Sequence, residues 1–282
     1  MIRRMLVGPA WLITSAFLHA AWNALVKRER EPQVAVIGVL VSAVICSAAV
    51  ALVMPGSGLP GRATVLWGVA AGALQAIYFV SLGEALSRAT YGAVYAVARG
   101  GALLLVWPAA ALVLHEPFTL RSAAGAALVG VGVVSVALAG RERASRGGVA
   151  FAVLCAASIA GYHLCFERAI AHGGSPAPLF ALAFAVALGP VWLQARLAGR
   201  LAAGLDRRAA LRLFVAGALT TVSFLLFLVG LSHSGAGVAL TLRNTSVVFA
   251  QVLAAGLGEA VPRRQLAGSA LVVLGAALVA TP

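Results

Sequence analysis

Charge is what this chain has least of. Only 10% of its 282 residues are Asp, Glu, Lys or Arg, against about 25% in a soluble domain. Acidic residues number 8, and lysine occurs once, at Lys27, so the basic charge is almost wholly arginine. Cysteine occurs at Cys46, Cys155 and Cys165, always in apolar sequence and without a Cys-x-x-Cys pair. An odd, scattered set of this kind excludes a disulfide scaffold, and the three read as small buried hydrophobes. No His-Glu-x-x-His, glycine-rich phosphate loop or Cys/His cluster with metal spacing occurs. These absences exclude a soluble enzyme, a disordered tail and a stapled secreted module, and the expectation is a non-enzyme with no cofactor and no metal.

Apolar sequence is what the chain has in abundance: 62% of residues are hydrophobic and the mean hydropathy is +0.99. Its main solvent is therefore lipid. A net charge of +13 would suggest nucleic acid in a soluble chain. Here the arginines fall between apolar runs, so no nucleic acid is expected.

A helix crosses about 30 Å of hydrocarbon with about 20 apolar residues, and ten such runs are present: Trp11–Val26, Val34–Met54, Val65–Leu86, Gly92–Leu114, Ser122–Ala139, Val149–Ile170, Leu179–Leu197, Leu211–Leu231, Gly235–Leu257 and Leu266–Thr281. The connections hold the charges, prolines and glycines, and none is long enough for a soluble domain. The first run follows Arg3 and Arg4 like a signal peptide, but it continues to Lys27 and nothing downstream reads as a secreted domain. It is taken as the first span.

Self-similarity organises the spans. "RGGALLLVWPAAALVLHEPFTLRSAAGAALVGVGVVSVALAG" from Arg99 parallels "RNTSVVFAQVLAAGLGEAVPRRQLAGSALVVLGAALVA" from Arg243. Each has an arginine within the span, a glutamate at its far end (Glu116, Glu259) and glycines seven residues apart, Gly125 with Gly132 and Gly268 with Gly275. Upstream, "AAWNALVKR" at Ala20 lies on "AGYHLCFER" at Ala160, which pairs Trp22 with Tyr162, Asn23 with His163 and Lys27 with Glu167. A unit of five spans is odd, so a second copy enters the membrane from the opposite side. The expected architecture is an all-α integral membrane protein of ten transmembrane helices, arranged as inverted five-helix repeats over residues 1–142 and 143–282. The glycine pairs make the fifth and tenth spans packing helices, because small residues at this spacing let backbones approach.

Alternate loops differ in charge. Arg3, Arg4, Arg62, Arg121 and Arg168 fall on one face and fourteen Lys or Arg residues on the other. The positive-inside bias then puts both termini outside the cytoplasm.

Ten spans, the inverted repeat, the string "HAAWNALVK" (His19 to Lys27) and the pair "HEPFTLRSAAGAALVGVGV" and "GEAVPRRQLAGSALVVLGA" resemble the EamA family of the drug/metabolite transporter superfamily over essentially the whole chain. The resemblance implies a secondary carrier with a central cavity between its halves, moving amino acids, other small metabolites or drugs, often outward. It also implies cytoplasmic termini, opposite to the charge count. The proline common in the fourth span is present as Pro108, but it has no ninth-span counterpart.

Ionisable groups inside spans are costly and mark function. Arg99 and Arg243 are approximate symmetry mates, each about eight residues or roughly 12 Å into its span. Each suits a carboxylate or phosphate on the substrate, or equally an internal partner that locks the halves together. Glu84, Glu167 and His19 are candidates for proton coupling, although Arg88 and Arg168 stand ready to pair with the two glutamates. His19, Trp22 and Asn23 share one face of the first span, and Tyr162 and His163 share the matching face of the sixth. Gln75, Tyr78, Tyr95, Asn244 and Gln251 are further candidates for the cavity wall. Glu116 and Glu259 read as structural groups at helix ends.

These features predict a secondary transporter of a small polar metabolite in the inner or plasma membrane. It works by alternating access coupled to a proton or an exchanged solute, as monomer or homodimer, with the small molecule and the bilayer as partners. The alternatives are an exporter of cationic apolar drugs and a flippase for a lipid-linked head group.

Overall fold

The computed structural model describes residues 7–26, 29, 32–88, 94, 96–115, 119–138, 146–202, 206–256 and 261–280, and no strand occurs among them. The helices are α1 (Val7–Val26), α2 (Pro32–Val53), α3 (Gly61–Arg88), α4 (Gly101–Ala109, between π-helical turns Ala96–Gly100 and Ala110–Leu114), α5 (Leu120–Leu138), α6 (Arg146–Ala171), α7 (Pro176–Leu197), α8 (Arg207–Arg243), α9 (Ser246–Gly256) and α10 (Arg263–Ala280). Local chemistry sets several of their starts. Ser175 and Pro176 open α7, with proline at a position where its missing N–H costs nothing. Asp206 caps α8 by accepting the Ala209 N–H.

Seven segments among the described residues are long and apolar enough to cross a membrane. The ten predicted runs do not emerge as ten separate long helices, for identifiable reasons. α1 is 20 residues long, but His19 and Asn23 dilute its hydropathy below that of the seven. The predicted eighth and ninth runs form one 47-residue segment, Arg207–Leu253. Fully helical, that segment would reach about 70 Å, more than twice the hydrocarbon thickness. It is broken internally at Gly235, whose φ of 77° and ψ of 167° are non-helical, and Gly235 is where the ninth run was predicted to start.

α1 lies along α8 and α3 along α6; α2 packs on α8 and α7 on α3; α2 faces α7, and α5 faces α10. α4 touches α6, and α9 touches α1. The glycine pairs do what their spacing predicts. Cβ atoms built at Gly125 and Gly275 would lie 2.8 Å and 2.5 Å from each other's carbonyl oxygens, and the α5–α10 seam repeats this at Gly132 and Gly268. α1 and α8 are joined by a reciprocal pair: Ser15 Oγ donates to the Ser223 carbonyl at 2.7 Å, and Ser223 Oγ donates to the Ser15 carbonyl at 2.9 Å.

The centre is aromatic. Phe166, Phe180, Phe184 and Phe227 are fully buried in one cluster with Leu12 and Leu40. Leu52, Leu104, Leu112 and Leu197 point outward and are largely exposed, as expected where the surrounding solvent is lipid. Cys155 and Cys165 are buried, Cys46 is half-buried, and all three are free thiols.

Candidate functional site

Both intramembrane arginines sit where helix geometry is irregular. Arg99 lies in the π-helical turn Ala96–Gly100. Widened turns of this kind are frequent at functional sites. Arg243 is the last residue of α8 before a tightened turn, in which Thr245 N donates to Leu242 O at 3.1 Å and Val247 N to Asn244 O at 3.1 Å. Side chains drive that tightening by competing for backbone acceptors: Asn244 Nδ2 donates to Leu240 O at 3.0 Å and Thr245 Oγ1 to Leu242 O at 2.7 Å. In the fourth span Pro108, which lacks an N–H, precedes a second π-helical turn at Ala110–Leu114. The two halves therefore interrupt the corresponding span by different means. Trp107 joins the interrupted spans, donating from Nε1 to Thr241 Oγ1 at 3.0 Å.

The two arginines converge on one imidazole. Arg99 Nη2 lies 2.7 Å from His19 Nε2, and Arg243 Nη2 lies 3.2 Å from His19 Nδ1. Trp22 Nε1 also donates to His19 Nδ1 at 3.2 Å. Arg243 Nη1 donates to Ser15 Oγ at 2.7 Å, and its guanidinium lies over the Phe224 and Phe227 rings, 4.5 and 4.6 Å from their centroids. Only 1% of Arg243 and 6% of Arg99 is exposed. Cation–π contact contributes about 2 kcal/mol when desolvated, which offsets part of the cost of burying the Arg243 charge.

Beside this cluster is a cavity lined by His19, Trp22, Val36, Val39, Leu40, Gln75, Tyr78, Phe79, Arg99, Tyr162, Phe184, Thr220 and Phe224. It has room for about one water.

Of the predicted site residues, His19, Trp22, Gln75, Tyr78, Arg99 and Tyr162 line the cavity together, and Arg243 reaches it through His19. His163 stacks on Tyr162 with centroids 4.5 Å apart and donates from Nδ1 to the Ile159 carbonyl at 2.6 Å. Asn23 turns to its own helix, donating to the His19 carbonyl at 2.7 Å, and Asn244 does likewise in the tightened turn. Gln251 accepts from Ser269 Oγ at 2.8 Å, which ties α9 to α10. Glu84 pairs with Arg88 at 2.5 Å and accepts from Gln194 Nε2 at 3.2 Å. Glu167 is half-buried beside Arg168, whose Nη2 donates to the Val113 carbonyl. Tyr95, Lys27, Glu116 and Glu259 lie outside the described residues.

Sequence reading missed Ser15, Phe79, Phe184, Thr220, Phe224 and Phe227. Ser15 was accessible, being four residues before His19 and so on the same helical face. The phenylalanines are single members of apolar runs, and nothing local distinguishes them from lipid-facing neighbours.

Helices that turn their apolar faces outward and hold two guanidiniums at the centre define a multi-pass α-helical membrane protein. Residues 146–281, in the second half of the chain, match the EamA-like transporter family. That match implies a membrane transporter. No curated protein matches the chain. Among solved structures 29 chains match. One, described only as a crystal structure of a protein, covers 98% of this chain and 98% of its own length with a TM-score of 0.79 at 19% identity. At that identity the likeness is one of fold.

Proposed function

We propose that the chain is a secondary transporter that exports a small polar metabolite, an amino acid or related compound, by alternating access coupled to a proton or an exchanged solute. The observation that carries this reading is the meeting of Arg99, from the first half of the chain, and Arg243, from the second, on His19 at a central cavity. Charged groups this deep are costly unless used.

The helix partnerships support inverted repeats over residues 1–142 and 143–282. Exchanging the first five spans for the last five converts α1 on α8 into α6 on α3, and α2 on α8 into α7 on α3, while α2 with α7 and α5 with α10 map onto themselves. In that reading Gly235 separates the eighth span from a ninth that runs through α9, which gives ten spans. Two halves of like construction exchange roles as the central site changes sides. With room for about one water, the cavity fits an occluded state that must widen to take a metabolite.

A cationic drug would sit beside two buried guanidiniums and be repelled, so the polar metabolite is preferred over the multidrug alternative. The test is counterflow of labelled amino acids and organic acids in proteoliposomes of an inner-membrane lipid mixture, alongside translocation of a fluorescent head-group lipid. Accumulation of a soluble compound is expected. Translocation of lipid alone would establish a flippase instead.

A further inference from the structure

We infer that Gln75 is a specificity-determining residue, whose side-chain carbonyl accepts a hydrogen bond from an N–H or O–H group on the cargo. The inference rests on the transporter reading and adds the chemistry that the cargo must carry.

Other polar side chains on the cavity wall are already engaged. Trp22 Nε1 donates to His19 Nδ1 at 3.2 Å, Arg99 Nη2 meets His19 Nε2 at 2.7 Å, and Thr220 Oγ1 donates to the Ala216 carbonyl at 2.8 Å. Gln75 differs. It is 1% exposed and lines the same cavity, and its Oε1 has no hydrogen-bond partner among the described residues. A buried acceptor in that condition is a standing cost to stability and needs a reason.

Rotation of the helix cannot relieve that cost. Gln75, Tyr78 and Phe79 lie at i, i+3 and i+4 on one face of α3, and all three line the cavity. Close packing against α7 and α6 fixes that face: a Cβ at Gly72 would stand 2.5 Å from the Ala183 carbonyl oxygen, and one at Gly161 would stand 2.9 Å from Leu74 Cδ1. Turning α3 far enough to carry the carboxamide elsewhere would break both contacts.

What can meet Oε1 is set by the rest of the wall. Six lining side chains are aromatic, Trp22, Tyr78, Phe79, Tyr162, Phe184 and Phe224, and among the described residues no acidic side chain lines the cavity. An unmet acceptor among apolar faces suits a donor group joined to an apolar body. The Arg99 guanidinium on the same wall disfavours a net cation. The donor is thus a hydroxyl or the ammonium of a zwitterion. An analogue with the same body but no N–H or O–H leaves Oε1 buried and unmet, and is rejected for that reason.

Melting of the full-length protein in neutral detergent tests this, first without ligand and then with two pairs of probes. L-leucine is set beside N,N,N-trimethyl-L-leucine, and isoamyl alcohol beside its methyl ether; only the first of each pair carries a donor. Gln75→Met removes the acceptor while keeping an unbranched side chain of similar volume. Without ligand the variant should melt above the native protein, because an unmet buried acceptor is gone. A variant that melts lower, or does not fold, would show Gln75 holding the structure together and overturns the inference. With ligand, at least one donor probe should raise the native melting temperature by mass action while its methylated counterpart does not. Gln75→Met should bind that probe about tenfold more weakly and respond alike to both members of the pair. No response to either donor probe overturns the inference, and so does a preference that survives in Gln75→Met, since the added methyl groups are then rejected by size alone. Counterflow of a solute with equal responses to both members of each pair would refute this inference and leave the transporter reading standing. Donor-dependent binding without counterflow of any solute would uphold the Gln75 site and refute that reading.

Discussion

Gly132 of α5 rests on the backbone of Gly268 in α10: a Cβ at Gly132 would stand 2.5 Å from the Gly268 carbonyl oxygen, and one at Gly268 would stand 2.8 Å from that of Gly132. Neither neighbour is the end of a flexible side chain, so the helices themselves must separate to admit a larger residue. Gly132→Leu is expected to destabilise the protein by about 1–3 kcal/mol through overpacking, read as a lower melting temperature in detergent. Gly130, two residues away on the same helix, has nothing within 4 Å of a built Cβ. Gly130→Ala should therefore be neutral or stabilising by up to about 1 kcal/mol, as alanine favours helix over glycine. Equal damage from both variants would refute the seam.

Gly235 adopts φ 77°, ψ 167°, a conformation that L side chains rarely enter. Gly235→Ala should cost about 1–3 kcal/mol in backbone strain, again measured by melting. Unchanged stability would mean that the corner between the eighth and ninth predicted runs is freely remade.

Arg243 uses two different nitrogens, one for Ser15 and one for His19, while its flat guanidinium lies over two rings. Lysine has a single compact ammonium and cannot reproduce that fork. Arg243→Lys should insert and purify as the native protein does, yet lose about tenfold or more of its transport rate in proteoliposomes, one factor of ten per 1.4 kcal/mol lost. Native rates in this variant would reduce Arg243 to a generic positive charge.

Asp206 lies just outside the span, and the Ala209 N–H that it accepts at 2.5 Å holds its carboxyl below the usual carboxylate range. A carboxyl whose pKa is lowered by folding contributes stability above its unfolded pKa, about 4. That contribution falls away as the pH drops through the folded value. Asp206→Asn keeps a capping oxygen that does not titrate. Its melting temperature should fall less steeply than the native protein's on acidification below about pH 4, and identical profiles would remove the cap from the account.

The candidate site was legible in its ionisable members and in Trp22, Tyr78 and Tyr162, and illegible in its phenylalanines. Arg99, Arg243 and His19 stand out in sequence because a charge or imidazole in hydrocarbon needs a reason. Phe224 and Phe227, which hold Arg243 in place, are indistinguishable there from Phe214, which is half exposed on the outer surface. Asn23 and Asn244 share the faces and depths of cavity residues yet turn to their own backbones, a choice of rotamer that no spacing encodes. Glu84 follows the simpler of its readings, pairing with Arg88 one turn away.

Sequence alone determined that this chain is helical and lives in a membrane, since apolar runs of about 20 residues cross lipid as helices, which bond their own backbone groups internally. It also marked α5 and α10 as packing helices, because two glycines on one helical face leave no side chain to keep a neighbour off; that they pack on each other came from the structure. Tertiary structure decided the rest. Hydropathy records what it costs to place a residue in water or in lipid, but it is nearly blind to the rotation of a helix about its own axis. That rotation, set by packing against the other helices, brings Arg99 and Arg243 to the two nitrogens of one histidine, and it turns Gly235 from a gap between apolar runs into a corner.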